Sequence, residues 1–121
     1  MKDESRLALE SLGMDIQQTL SRFVGNEGLL FKFLGRFEAD QSFAQMTAAI
    51  EAGDTQQGFY QAHTLKGVVG NLGLGTLFDS TDPLVEALRS DNLEEAKQYY
   101  PPVAEAYQKA IDTLKTISEI P

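Results

Sequence analysis

The stretch DTQQGFYQAHTLKGVVGNLGLG, residues 54–75, places Phe59, Ala62, Leu65, Val69 and Leu72 at three- and four-residue intervals. That spacing stacks side chains on one face of an α-helix. Asp54 and Thr55 are cap-forming residues at its start, and the glycines at 73 and 75 end it. The stretch therefore predicts one amphipathic helix with a histidine, His63, near its middle.

The pattern continues on both sides. Upstream, Leu29, Leu30, Phe33, Leu34, Phe37, Phe43, Met46, Ala49 and Ile50 predict a single long amphipathic helix that ends near Gly53, preceded by a turn at residues 25–28, GNEG. Before it, Leu7, Leu9 and Leu12 predict a short leading helix. Beyond an interruption at Gly13, Ile16, Leu20, Phe23 and Val24 predict a second, capped by Asp15.

Downstream, Leu77, Phe78, Leu84, Val85 and Leu88 carry the pattern on, with a kink or restart expected at Pro83 because proline removes a helical hydrogen bond. Asp91 and Asn92 open a short run, LEEAKQYY. Pro101 and Pro102 predict a break before a final helix whose stripe is Val103, Ala106, Tyr107, Ala110, Ile111, Leu114 and Ile117. No β-branched alternating stretch is present. The expectation is an all-α chain: an antiparallel four-helix bundle with one or two short accessory helices, forming one domain over residues 1–121.

Composition narrows the function. Ten Lys and Arg against 18 Asp and Glu give a formal charge of −8, which argues against a nucleic-acid backbone binder. No apolar run approaches the ~20 residues of a membrane span, and the start MKDESRLALE lacks the basic-then-apolar order of a secretory signal. A cytoplasmic location and no membrane contact are expected. With no cysteine there is neither a disulfide framework nor a thiolate nucleophile. The H-x-x-x-H and E-x-x-H spacings of helical metal sites are absent, and so are a glycine-flanked serine and a Walker-type loop. The chain is expected not to phosphorylate itself from ATP.

His63 is the chain's only histidine. Lys66, Gly67 and Gly70 follow at the third, fourth and seventh positions, which puts all four on one helical face. Each helical glycine costs roughly 1 kcal/mol relative to alanine, so two of them suggest a use for that surface. A neutral imidazole nitrogen attacks phosphorus without a separate base, and phosphoryl transfer asks a protein mainly for positioning and charge stabilisation. Lys66 would supply the charge, and the glycines would leave room for phosphate or partner. The blander readings are a structural histidine, a solvated lysine and glycines placed where another helix crosses. Gly73 and Gly75 read as turn residues.

AHTLKG followed by NLG resembles the signature of the histidine-containing phosphotransfer domain of two-component phosphorelays. The likeness takes in Ala62, His63, Leu65, Lys66, Gly67, Gly70, Asn71, Leu72 and Gly73 in order and spacing. GMDIQQTLSRFVGNEGLLFKFLGRF is similar to the family's opening helices and IEAGDTQQGFYQAHTLKG to its approach to the histidine, while the likeness weakens after Leu77. The resemblance implies that His63 accepts the phosphoryl group, that Lys66 supports it, and that Gly67 and Gly70 are small surface residues for partner docking or phosphate access. Many relatives carry an acidic or amide residue after a leucine on the next helix, whereas this chain has Leu84, Val85 and Glu86. The residue that orients the imidazole stays open among Glu86, Asp82 and Asp79, and Arg89 is a candidate second cation.

The resemblance further implies a monomeric phosphocarrier that takes a phosphoryl group from an aspartate of one response-regulator receiver domain and passes it to another. Receiver domains and a hybrid sensor kinase would be its partners. It implies no cofactor in this chain, the Mg2+ lying in the receiver's pocket. Both a free-standing protein and a domain of a larger kinase fit. The alternative is an adaptor that docks on receivers or kinases without carrying phosphate.

Overall fold

The computed structural model describes all 121 residues. It has seven α-helices and no strand: α1 Asp3–Glu10, α2 Ile16–Arg22, α3 Glu27–Arg36, α4 Ser42–Glu51, α5 Thr55–Asn71, α6 Gly75–Arg89 and α7 Leu93–Leu114. Consecutive helices from α4 to α7 pack on one another and α7 closes back on α4, which makes the four-helix bundle. Its core is the buried face of each stripe, with Met46, Leu65, Val69, Leu84, Val85 and Val103 fully buried. Each such side chain contributes about 1.5–3 kcal/mol of transfer free energy. Along the α4–α7 seam Phe43 stacks on Tyr107 at 4.0 Å between centroids, and Thr47 Oγ1 lies 2.8 Å from the Tyr100 hydroxyl. Burial, aided by the nearby Asp40 and Glu38 charges, pushes the Tyr107 phenol above its usual pKa.

The caps follow from side-chain chemistry. Asp15, Asn26, Asp54 and Asn92 each accept a backbone N–H from the first turn of the helix they precede.

The helix expected to run from Leu29 to Gly53 is two helices. A 3-10 turn, Phe37–Ala39, separates α3 from α4. Asp40 turns extended, and its carboxylate accepts the Ser42 amide at 2.9 Å and the Ser42 hydroxyl, so it ends one helix and starts the next. The accessory helices are accordingly three, α1 to α3.

Neither a restart at Pro83 nor the break expected at Pro101 and Pro102 occurs, since α6 runs through Pro83 and α7 through Pro101 and Pro102. The carbonyls that lose a donor belong to Asp79, Lys97 and Gln98, all solvent-exposed residues, so water can replace the missing bonds. Meanwhile Ala96, Val103 and Ala110, two turns apart, hold α7 to the bundle as one helix.

α1 to α3 close the end of the bundle where α5 and α7 finish and α6 begins. Arg22 donates from Nη2 to the Gly70 carbonyl at 3.0 Å and from Nε to the Asn71 carbonyl at 3.2 Å, which satisfies the last turn of α5 with a cation. Gly75 is a contact point as well as a turn residue: a Cβ there would collide with the Gly13 carbonyl oxygen. Gly73 has φ +73°, with Thr19 against the position a Cβ would take.

Glu119 ties α1 to the chain's end, accepting Ser5 Oγ at 2.5 Å and the Lys2 amide at 3.0 Å. These donors, the Ser5 hydroxyl first, lower its carboxyl from 4.5 to about 2. A depressed folded-state pKa contributes stability above the unfolded value that is lost as pH falls towards the folded one. Glu119→Gln should therefore lower the melting temperature at neutral pH and flatten its decline between about pH 4.5 and 2. An unchanged acid limb in that variant would assign the acid sensitivity to other carboxylates.

Candidate functional site

With a period of 3.6 residues, α5 buries Ala62, Leu65 and Val69 and turns Tyr60, His63, Thr64, Gly67 and Asn71 to solvent. The imidazole therefore stands on the open face of a helix whose opposite face is core. One turn before it, Phe59 brings its ring to 5.8 Å from the His63 ring, tilted by 36°. The Arg89 guanidinium lies over the Phe59 ring, 4.7 Å from its centroid, and donates to Glu86 Oε2 at 3.2 Å. One turn beyond His63, Lys66 Nζ donates to Asp82 Oδ1 at 2.5 Å and lies 5.4 Å from the Phe78 ring centroid.

The two glycines differ. A Cβ added to Gly67 meets nothing within 4 Å, so the surface beside the imidazole is open there. At Gly70 the same Cβ would lie 3.0 Å from two carbons of the Phe78 ring, and its carbonyl is taken by Arg22. Gly70, expected to be an access position, is a packing point beneath Phe78. Its spacing aligns it with His63, but a ring from α6 covers the place.

None of the three carboxylates considered as ring partners reaches the imidazole. Asp82 holds Lys66, Glu86 holds Arg89, and Asp79 is exposed. Val85 is fully buried in the core. The neighbour that meets the ring is Phe59, whose signal lay in its position four residues before the histidine, the i,i+4 spacing of stacked helical side chains. Arg22 and Phe78 were missed too, because nothing local marks their contact with the end of α5.

The site thus presents an exposed imidazole with an unobstructed surface on the Gly67 side and a cation on each flank, each already paired with a carboxylate of α6. No three His, Asp or Glu side chains come together in a way that could hold a metal ion. No helix is long and apolar enough to cross a membrane.

The sequence model of the Hpt domain family matches residues 35–117. The match takes in α4 to α7, the whole bundle, and leaves α1, α2 and most of α3 outside. It also continues well past Leu77, where the motif likeness fades. No curated protein and no solved structure gives a significant match to the chain.

Proposed function

We infer that this chain, which belongs to the Hpt domain family, carries a phosphoryl group on His63 between aspartates of response-regulator receiver domains. Hpt domains serve histidine phosphotransfer in two-component systems as phosphocarrier modules, and their partners are response regulators and kinases. The observation that supports His63 as the carrier is its setting: the only histidine, exposed mid-helix, open over Gly67, with a lysine one turn away. On this reading an imidazole nitrogen forms the N–P bond as the acyl phosphate's P–O bond breaks and the receiver's carboxylate leaves. The reverse step delivers the group to the next receiver. Lys66 would draw towards the phosphoryl oxygens as charge gathers on them, and the divalent metal would lie in the receiver's acidic pocket.

The test is transfer from a phosphorylated receiver domain, with label followed on both proteins. Label should move to this chain and then to a second, unphosphorylated receiver. Lys66→Ala should slow the single-turnover rate by roughly ten-fold while the affinity for the receiver changes less than about two-fold, because the charge is needed where transferring oxygens gather it. Binding without any transfer of label would make the chain an adaptor. A large loss of affinity at an unchanged rate would make Lys66 a docking residue.

A further inference from the structure

Lys66 is not free in this structure. Its side chain is 28% exposed, lies over the Phe78 ring, and ends on the Asp82 carboxylate. Asp82 belongs to α6, on the flank of α5 where Lys66 lies, and its own side chain is 52% exposed. The pair therefore sits at the rim of the site, where exchanging one partner for another costs little desolvation. A phosphoryl group on His63, one helical turn from Lys66, would carry more negative charge than a carboxylate and would compete with Asp82 for the same ammonium.

We propose that Asp82 is a positioning residue: it holds Lys66 while His63 is unmodified and yields it to the phosphoryl group, so the ion pair sets how readily His63 gains and gives up phosphate. The proposal rests on His63 as the phosphoryl acceptor and adds what regulates that site. Every phosphorylation event must break or weaken the Lys66–Asp82 pair. By linkage, the pair opposes phosphorylation by the same factor that phosphorylation weakens the pair. Asp82 thus keeps the phosphohistidine poised for onward transfer instead of letting Lys66 stabilise it fully.

Phosphoramidate tests this without a receiver domain. A His63 ring nitrogen forms the N–P bond, the donor's P–N bond breaks, ammonia leaves, and the ring gives its displaced proton to water. At a fixed ratio of phosphoramidate to ammonia, phosphohistidine is quantified by phosphorus NMR against the known total protein concentration, which gives the ratio of phosphorylated to free His63, with folding checked by circular dichroism. Asp82→Asn should raise that ratio about two- to five-fold, the range an exposed ion pair can supply. Asp82→Glu, which keeps the carboxylate, should stay near the parent.

In a Lys66→Ala background Asp82→Asn should have no further effect, because Asp82 acts through Lys66. An unchanged ratio in Asp82→Asn overturns the proposal. So does an equal rise in the Lys66→Ala background, which would make Asp82 a repulsive charge acting on the phosphoryl group directly. Absence of any phosphohistidine signal from the parent protein would instead remove the acceptor on which the proposal rests.

Discussion

His63→Gln should remain folded and lose all capacity to take up a phosphoryl group. The position is exposed and its ring makes a tilted contact with Phe59, so the substitution should change stability by no more than about 0.5 kcal/mol. Glutamine keeps the helix and a polar surface but has no nucleophilic ring nitrogen. Incubated with a phosphorylated receiver, the parent should acquire a label that is acid-labile and stable to base, as a phosphoramidate is, and the variant should acquire none. Because this chain has no second histidine and no cysteine, residual label would have to sit on oxygen or on a lysine or arginine nitrogen. Its acid and base stability would then identify the true acceptor and displace His63.

The bundle was legible because its helices announce themselves by period alone. Leu65, Val69, Leu84 and Val103 are core residues both in the pattern and in the structure. The break between α3 and α4 was hidden by the same signal: Phe37 stays 2% exposed inside the 3-10 turn, so the apolar stripe runs through the interruption. The local mark was the Asp40 and Ser42 pair, a side chain competing with the helix for a backbone amide. Pro101 and Pro102 point the opposite way, to a break that α7 does not have. The cost of the helical prolines falls on carbonyls of exposed residues, and tertiary packing of α6 and α7 outweighs it.

Within the site, spacing along one helix was enough to align His63, Lys66 and Gly67. It could not show that Lys66 ends on Asp82 or that Arg89 covers Phe59, because both facts depend on the register of α6 against α5. Gly70 makes the same point. Helical geometry places it correctly on the histidine's side, and only the neighbouring helix decides that Phe78 lies over it.

That difference between the glycines makes Gly67→Gln the sharpest test of where a partner approaches. Nothing lies within 4 Å of a Cβ at Gly67, so the new side chain enters open space, and glutamine is the better helix former. The variant should melt no lower than the parent and gain about 0.5 kcal/mol in helix propensity. Yet the side chain would stand one turn from the imidazole on the exposed face, where on the proposed reading a receiver would bring its aspartate into line with the ring. Transfer from a phosphorylated receiver should fall by about ten-fold or more, while labelling by phosphoramidate, a donor without a domain-sized contact surface, should fall much less. At Gly70→Ala the propensity gain of about 1 kcal/mol is opposed by the Phe78 ring, which must shift from 3.0 Å, so this variant should melt below Gly67→Ala while transfer from the receiver stays near the parental rate. If Gly67→Gln accepted phosphate from the receiver at the parental rate, the partner would have to reach His63 from the Phe59 and Arg89 flank, and the open surface over Gly67 would have no part in docking.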